Sequence, residues 1–249
     1  MQLSELSNQQ QVLINLGMNI AKYLTIAGGS YLLFWKVFKK KYINRFHNYF
    51  QVKRKDLKRE ITYSIYSMMI FSLTTIIGVY LIDLNVLKLY FEFSEFSITW
   101  YVFSWILLFL MHDAYFFWTH YALHKVKWLR KYHVIHHQTI TPTPFAAFSF
   151  HPVEATIQGI FFLVALSLFP FHVSVLIGFN LYSFIYNVYG HMGLDMFGKK
   201  FYAAPVINKF THSHHHSWHH KYQNGNYGFY LKFWDRVMGT WKGPLLKKE

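Results

Sequence analysis

From Thr62 to Ile82 the chain runs for 21 residues, TYSIYSMMIFSLTTIIGVYLI, without one charged side chain. About 20 apolar residues in a helix cross the roughly 30 Å hydrocarbon core of a bilayer, and within lipid each backbone polar group has to be satisfied inside the segment itself. Helix is therefore the conformation open to this stretch. Val12–Trp35, VLINLGMNIAKYLTIAGGSYLLFW, carries one charge, Lys22, and Ile98–His120, ITWYVFSWILLFLMHDAYFFWTH, is apolar apart from His112, Asp113 and His120. Two more apolar runs, Glu154–Phe169 and His172–Gly190, meet at Pro170 and Phe171. The first is 16 residues long, short for a crossing, so the pair either spans or forms a hairpin that enters the bilayer part-way. A composition of 53% hydrophobic, 21% aromatic and 14% charged residues departs from that of soluble domains in the same direction. The expected fold is all-α: an integral membrane helical bundle. No cleavable leader is expected, because the first apolar segment is too long and lacks a basic lead-in.

Charge orients the bundle. Between Lys36 and Arg59 ten Lys or Arg stand against one acid, Asp56, whereas Asn85–Thr99 holds one Lys and two Glu. The positive-inside rule places the first loop in the cytoplasm, and alternation then puts His120, the basic stretch Lys125–Lys131, His191 and the Lys-rich C-terminus on the same side. The net charge of +14 follows from this asymmetry and from contact with anionic lipid heads, so no nucleic-acid partner is expected.

Imidazole is the unusual resource on that face. Sixteen His and no Cys occur in 249 residues, and eight of the His fall in three short clusters. HYALH pairs His120 with His124 at i, i+4; HVIHH holds His133, His136 and His137; HSWHH holds His216, His219 and His220 at the same i, i+3, i+4 spacing. Residues three and four apart lie on one side of a helix. Eight imidazoles on three short faces suit two metal ions better than one structural zinc, which takes four ligands. Without Cys or paired Glu-x-x-His motifs, thiolate clusters and the carboxylate-bridged di-iron bundle fit poorly, while iron, zinc and copper all suit imidazole. A metal-ion transporter or metal-buffering membrane protein is the rival reading. Transport ligands sit near the bilayer midplane, however, and these clusters follow the apolar runs.

The order HxxxH, HxxHH, HxxHH, followed by NYG and by FWDRVMGT at Phe233–Thr240, resembles the fatty acid hydroxylase and sterol desaturase superfamily of membrane di-iron enzymes. The resemblance covers roughly Asp113–Trp241; DAYFFWTHYALH, FHPVE and YGHMGLD are similar to its further motifs. It implies residues 1–97 as N-terminal membrane segments with a basic loop, and 98–249 as the catalytic region of one structural unit. It also implies two Fe ions, replaceable by Zn in purified protein, O2 as co-substrate, a lipid substrate drawn from the bilayer, and a separate electron donor of ferredoxin or cytochrome type. Nine ligands are implied: His120, His124, His133, His136, His137, His191, His216, His219 and His220. Asp113 is expected to line the substrate cavity or to hydrogen-bond a ligand. His151 either ligates or orients a ligand, His112 packs or supports the site, and His47 and His172 are interfacial. Asn226, Tyr227, Trp234, Asp235 and Arg236 are expected to anchor the tail. The sequence departs from the family at Tyr121, where many members have Arg, and in the extra imidazoles of His212, His214 and His215; His212 is expected at a solvated rim.

Overall fold

The computed structural model describes residues 8–46 and 52–243. His47 lies outside them. Helix α1, Asn8–Tyr23, runs on into wider π-helical turns at Leu24–Gly28 and Tyr31–Val37, and a short α2 follows at Lys39–Tyr42. The Thr25 hydroxyl bonds back to the Ala21 and Lys22 carbonyls where the helix widens, a local competitor to the regular ladder, and Gly28–Gly29 follow within the turn. Among the described residues two helices are long and apolar enough to cross a membrane: α3, Arg54–Asp83, and α4, Ile98–Lys125. Next come α5 (Lys127–His137), a 3-10 turn at Pro144–Phe148, α6 (Pro152–Leu168) and α7 (Val173–Gly190). Short helices α8 (Lys199–Ala203), α9 (Ser213–Tyr222) and α10 (Phe233–Val237) complete the order. The strands are two-residue pieces, β1 (Leu89–Tyr90) and β2 (Phe171–His172), paired in parallel. At 17 residues α6 rises about 25 Å, less than a bilayer core.

The bundle is inside-out. On α3 the buried residues include Ser64, Ser67, Ser72, Thr74 and Gly78, while Ile65, Met69, Leu73 and Ile77 are exposed. A water-soluble helix sorts the other way; small and polar residues between helices with aliphatic groups outward is packing in lipid. On α4 likewise, Ile98, Val102, Phe103, Ile106 and Leu110 face outward while Ser104, His112 and Asp113 are buried. These apolar flanks make the chain a membrane protein.

Between α5 and α6 lies a buried irregular strap, residues 138–151. Non-helical backbone at this depth has to find partners in the protein. Glu60 accepts the Thr143 N–H and hydroxyl. The Phe145 carbonyl accepts from Ser64 and from the Tyr23 hydroxyl, both at 3.0 Å, and Asn187 donates to the Ala147 carbonyl at 2.6 Å. The N-terminal helices thus hold the strap from one side and α7 from the other.

Close approach of α3 and α6 depends on Gly159, where an added Cβ would lie 2.9 Å from the Thr74 hydroxyl and 3.3 Å from the Phe71 ring. Gly159→Ala is expected to destabilise the protein by about 1–3 kcal/mol, as overpacking does. Gly17→Ala, with nothing within 4 Å, should leave the melt unchanged or slightly higher. Thermal unfolding of both variants in detergent checks the pair; equal melting temperatures would contradict the packing.

Candidate metal centre

Nine imidazoles converge where the ends of α4, α5, α7 and α9 meet. They form two groups, His120, His124, His133, His137 and His219 in one and His136, His191, His216 and His220 in the other, with the nitrogens of each group all within 4.8 Å of one another. Helix geometry explains the division. Each i, i+4 pair stays together: His120 with His124, His133 with His137, His216 with His220. The i+3 residue sits about 100° round from its i+4 neighbour and turns to the other group, so His136 and His219 cross over. Each HxxHH cluster is thus wider than one face and serves both groups. His191, the C-cap of α7, joins the second.

Six of the nine outer ring nitrogens are tied down, while that of His137 is buried without a partner among the described residues. Nδ1 of His120 donates to the Tyr227 carbonyl at 2.8 Å, His219 to Gly225 at 2.8 Å, His220 to Thr139 at 3.0 Å, His136 to Ser149 at 3.2 Å and His191 to Asn187 at 2.8 Å. His133 Nδ1 donates to Glu154 Oε1 at 2.7 Å. A neutral imidazole whose Nδ1 carries the hydrogen has a bare lone pair on Nε2. Those lone pairs point inward: His120 and His133 Nε2 lie 3.1 Å apart and those of His136 and His191 3.3 Å apart, each a meeting of two acceptors. No hydrogen bond accounts for such a contact. Two imidazoles on one cation at about 2.1 Å have nitrogens roughly 3.0–3.4 Å apart for octahedral to tetrahedral angles, so the donor set fits a metal in each group. Iron accepts an all-imidazole shell of this kind.

Electrostatics point the same way. Burial, and then neighbouring imidazoles, hold His133, His137, His216, His219 and His220 well below the usual histidine range; burial and His191 do so for His136. Burial pushes His191 down to about 4. The neutral form, which binds metal, is the stable one at neutral pH.

The remaining sequence candidates lie outside both groups. Asp113 Oδ1 accepts the backbone N–H groups of Tyr230 and Leu231, at 3.1 and 3.0 Å. Asp235 takes those of Tyr227 and Gly228, at 2.9 and 2.8 Å, and the Thr240 hydroxyl. These two carboxylates clamp the tail segment that presents the Tyr227 carbonyl to His120. Gly228 permits the clamp, since a Cβ there would meet Asp235 Oδ2 at 2.9 Å and the Leu231 carbonyl at 2.6 Å. His151 caps α6, its Nδ1 accepting from Val153 N, and stacks near Tyr132. His112 is caged by Phe161, Phe179, Phe229 and Tyr230. His172 is buried rather than interfacial, capping α7 and binding the Phe91 carbonyl at 2.8 Å, and Trp234 stacks on Phe117.

His212 is also buried, not at a solvated rim: it is the N-cap of α9 and forms a reciprocal capping box with His215. His215 Nδ1 accepts the His212 N–H, its Nε2 donates to His214 Nε2 at 2.9 Å, and His214 Nδ1 donates to Asp195 at 3.1 Å. Each contact in that chain pairs a donor with an acceptor, unlike the Nε2 contacts of His120 with His133 and of His136 with His191. Neither Glu154 nor Glu60 stands out in the sequence as a support of the site: Glu154 is an acid in the first turn of an otherwise apolar helix, whereas Glu60 is masked by the charged run before it.

A free imidazole titrates near 6.5, so below that pH the unfolded chain takes up protons that the folded, metal-free site refuses. Stability is therefore kept above about pH 6.5 and lost as pH falls from there toward the depressed values. Melting temperatures of metal-stripped protein should be level from pH 8 to 7 and decline through pH 6 and 5, to be read with ~1 pH-unit resolution. A level or rising profile on acidification would mean that the folded site takes up protons at least as readily as the unfolded chain, against the depressed values.

The sequence profile described as fatty acid hydroxylase matches residues 105–240. Mouse lathosterol oxidase is 29% identical over 198 residues, 78% of this chain and 64% of that protein. A Delta(7)-sterol 5(6)-desaturase of Aspergillus fumigatus is 35% identical over 131 residues, 51% of this chain and 36% of that protein. A putative methylsterol monooxygenase of Dictyostelium discoideum is 31% identical over 147 residues, 58% and 52% of the two chains. The chain therefore spans less than two thirds of the length of these relatives. No solved structure matches. With its profile covering more than half of the sequence and all nine convergent histidines inside the matched range, the chain belongs to the fatty acid hydroxylase family.

Proposed function

We propose that the protein is a membrane-bound, O2-dependent di-iron oxidoreductase that hydroxylates or desaturates a lipid. The observation that carries this reading is the two groups of inward-facing Nε2 lone pairs. The names of the relatives favour a sterol or sterol-like substrate. Iron bound in the two groups supplies the redox chemistry with O2 that breaks an unactivated C–H bond.

The chain's own residues set the conditions for that chemistry. His120, His136, His191, His219 and His220 are locked by backbone carbonyls, and His133 by Glu154, so their inner nitrogens keep their positions without reorganisation. His133 Nδ1 holds its proton against Glu154 Oε1, which makes the opposite nitrogen a stronger donor. His219 and His220 are fully buried, which keeps bulk water from the centre. The aromatic rings of Phe116 and Phe229, packed at 4.5 Å beside His120, offer an apolar approach for a chain or ring arriving from the bilayer. Both overall reactions consume two electrons and two protons per O2. The chain has no flavin or nicotinamide fingerprint, so a separate ferredoxin or cytochrome type donor supplies the electrons. The reading places the centre and the C-terminus on the cytoplasmic face in a multi-pass arrangement, on the strength of the basic loop. A transporter would need ligands that release their ion; imidazoles locked through Nδ1 to five carbonyls and a carboxylate favour a resident one.

Protein purified in mild detergent should hold about two metal equivalents per chain, read by elemental analysis, with iron required for turnover. His219→Ala should lower metal content and abolish activity, because the position it leaves is filled poorly by water. His212→Ala should retain the metal and most activity while losing about 1 kcal/mol of stability as a cap. Lipid mass spectrometry of cells with and without the protein should reveal a gain of one oxygen or a loss of two hydrogens. A stoichiometry of zero or one in active protein, or metal loss in His212→Ala with retention in His219→Ala, would defeat the reading.

A further inference from the structure

A second feature lies away from the metal groups, at the N-terminal end of α3. Here a cavity of about 420 Å³ is lined by Lys53, Lys55, Asp56, Arg59, Ile140 and Thr141 among others. That size falls in the roughly 300–1,000 Å³ range of small-molecule sites. Three cations face one carboxylate, and that carboxylate is engaged: Arg59 Nη2 pairs with Asp56 Oδ1 at 2.8 Å. The same Nη2 reaches the Thr139 hydroxyl at 2.8 Å, while Arg59 Nε is buried with no partner among the described residues. Lys53 and Lys55 are exposed at the rim. No side chain caps the start of α3, a 30-residue helix, so its positive dipole end adds to the field.

We propose that this cavity binds the phosphate of an anionic membrane phospholipid. Its depth selects the source. Arg59 lies three residues before Thr62, where the uncharged run begins, and so about 4.5 Å of helix rise outside the hydrocarbon core. Arg59 thus falls within the headgroup layer, roughly 5–8 Å thick on each side, while Lys55 and Lys53 start about 10 and 14 Å out by the same rise and reach back along their flexible stems. A phosphate entering there meets two exposed lysines beside a guanidinium that Asp56 and Thr139 hold in place through Nη2. Ile140, half-exposed at the cavity wall, gives the glycerol and the first acyl carbons an apolar contact. The floor of the cavity is the strap that positions the metal site. Thr139 receives Arg59 through its hydroxyl and holds His220 Nδ1 through its carbonyl at 3.0 Å. A bound headgroup would fix Arg59 and with it that strap.

The test uses the full chain, purified in a neutral detergent and titrated with phosphatidylglycerol or phosphatidylcholine under native mass spectrometry. The wild type should prefer phosphatidylglycerol by about tenfold or more, and Lys53→Glu/Lys55→Glu should bring that preference close to unity, each lysine contributing roughly fivefold. Lys127→Glu/Lys131→Glu makes the same change in net charge on α5, outside the cavity, and should keep the wild-type preference. Both pairs lie on exposed side chains, and a thermal melt confirms that the variants fold. The proposal is overturned if the cavity pair retains the preference, or if the control pair loses as much. Displacement of phosphatidylglycerol by millimolar inorganic phosphate would assign the cavity to a soluble anion and overturn the lipid source.

Discussion

Mutual repulsion of neutral imidazoles is the constraint around which the structure is arranged. Nine rings meet with their lone pairs inward, an arrangement that is unfavourable until a cation sits between them. A ring left free would rotate away, and six of the nine are held from behind. The acceptors at Nδ1 are the carbonyls of Thr139, Ser149, Asn187, Gly225 and Tyr227, and the carboxylate of Glu154. Such partners fix tautomer and ring orientation together. Burial then keeps the rings uncharged, so protonation does not remove the lone pairs.

These acceptors come from segments distant in sequence, and four of the five carbonyls lie in or next to irregular backbone. That explains the elaborate support of the non-helical parts. The strap is held by Glu60, Ser64, Tyr23 and Asn187; the tail is held by Asp113 and Asp235. Asp113, anticipated near the substrate, spends its Oδ1 on two backbone N–H groups and acts on the site through the tail. Glu154 is the one anchor that reaches a ring directly by side chain.

Much of this was legible in the residues. Long apolar runs marked α3 and α4 as membrane helices, and the i, i+4 spacing marked which histidines share a helix side. The division into two groups was not legible, because it depends on how α5 and α9 face each other, and i+3 residues lie near enough to i+4 residues to go either way. Nor was the fate of His212. A histidine beside a cluster reads as a ligand or as a rim residue, whereas its capping role depends on where α9 starts, and helix boundaries are the least determined feature of a sequence. Val12–Trp35 is helical throughout, but its widening to π turns at Leu24–Gly28 and Tyr31–Val37 is a detail that apolar composition does not carry. The carbonyl anchors carry no signature at all, since any residue supplies a carbonyl.

Membrane insertion and metal support are one problem on α3. Its lipid side requires apolar residues, which leaves the inward side free to be polar, and that side carries Glu60, Ser64 and Ser67 toward the strap. A helix that only anchored the chain would gain from apolar packing on both sides and would have no reason to bury a glutamate. Glu60 faces inward at the boundary because Thr143 needs an acceptor there, and Arg59, one residue earlier, turns to Thr139. Of the residues that hold the strap, Tyr23, Glu60 and Ser64 lie before the region matched by the family profile, which begins at residue 105, and Asn187 lies within it. The N-terminal part of the chain is accordingly part of the metal site's support as well as its attachment to the bilayer, and changes at its first turn should be felt at His220 before they are felt in the melt of the bundle.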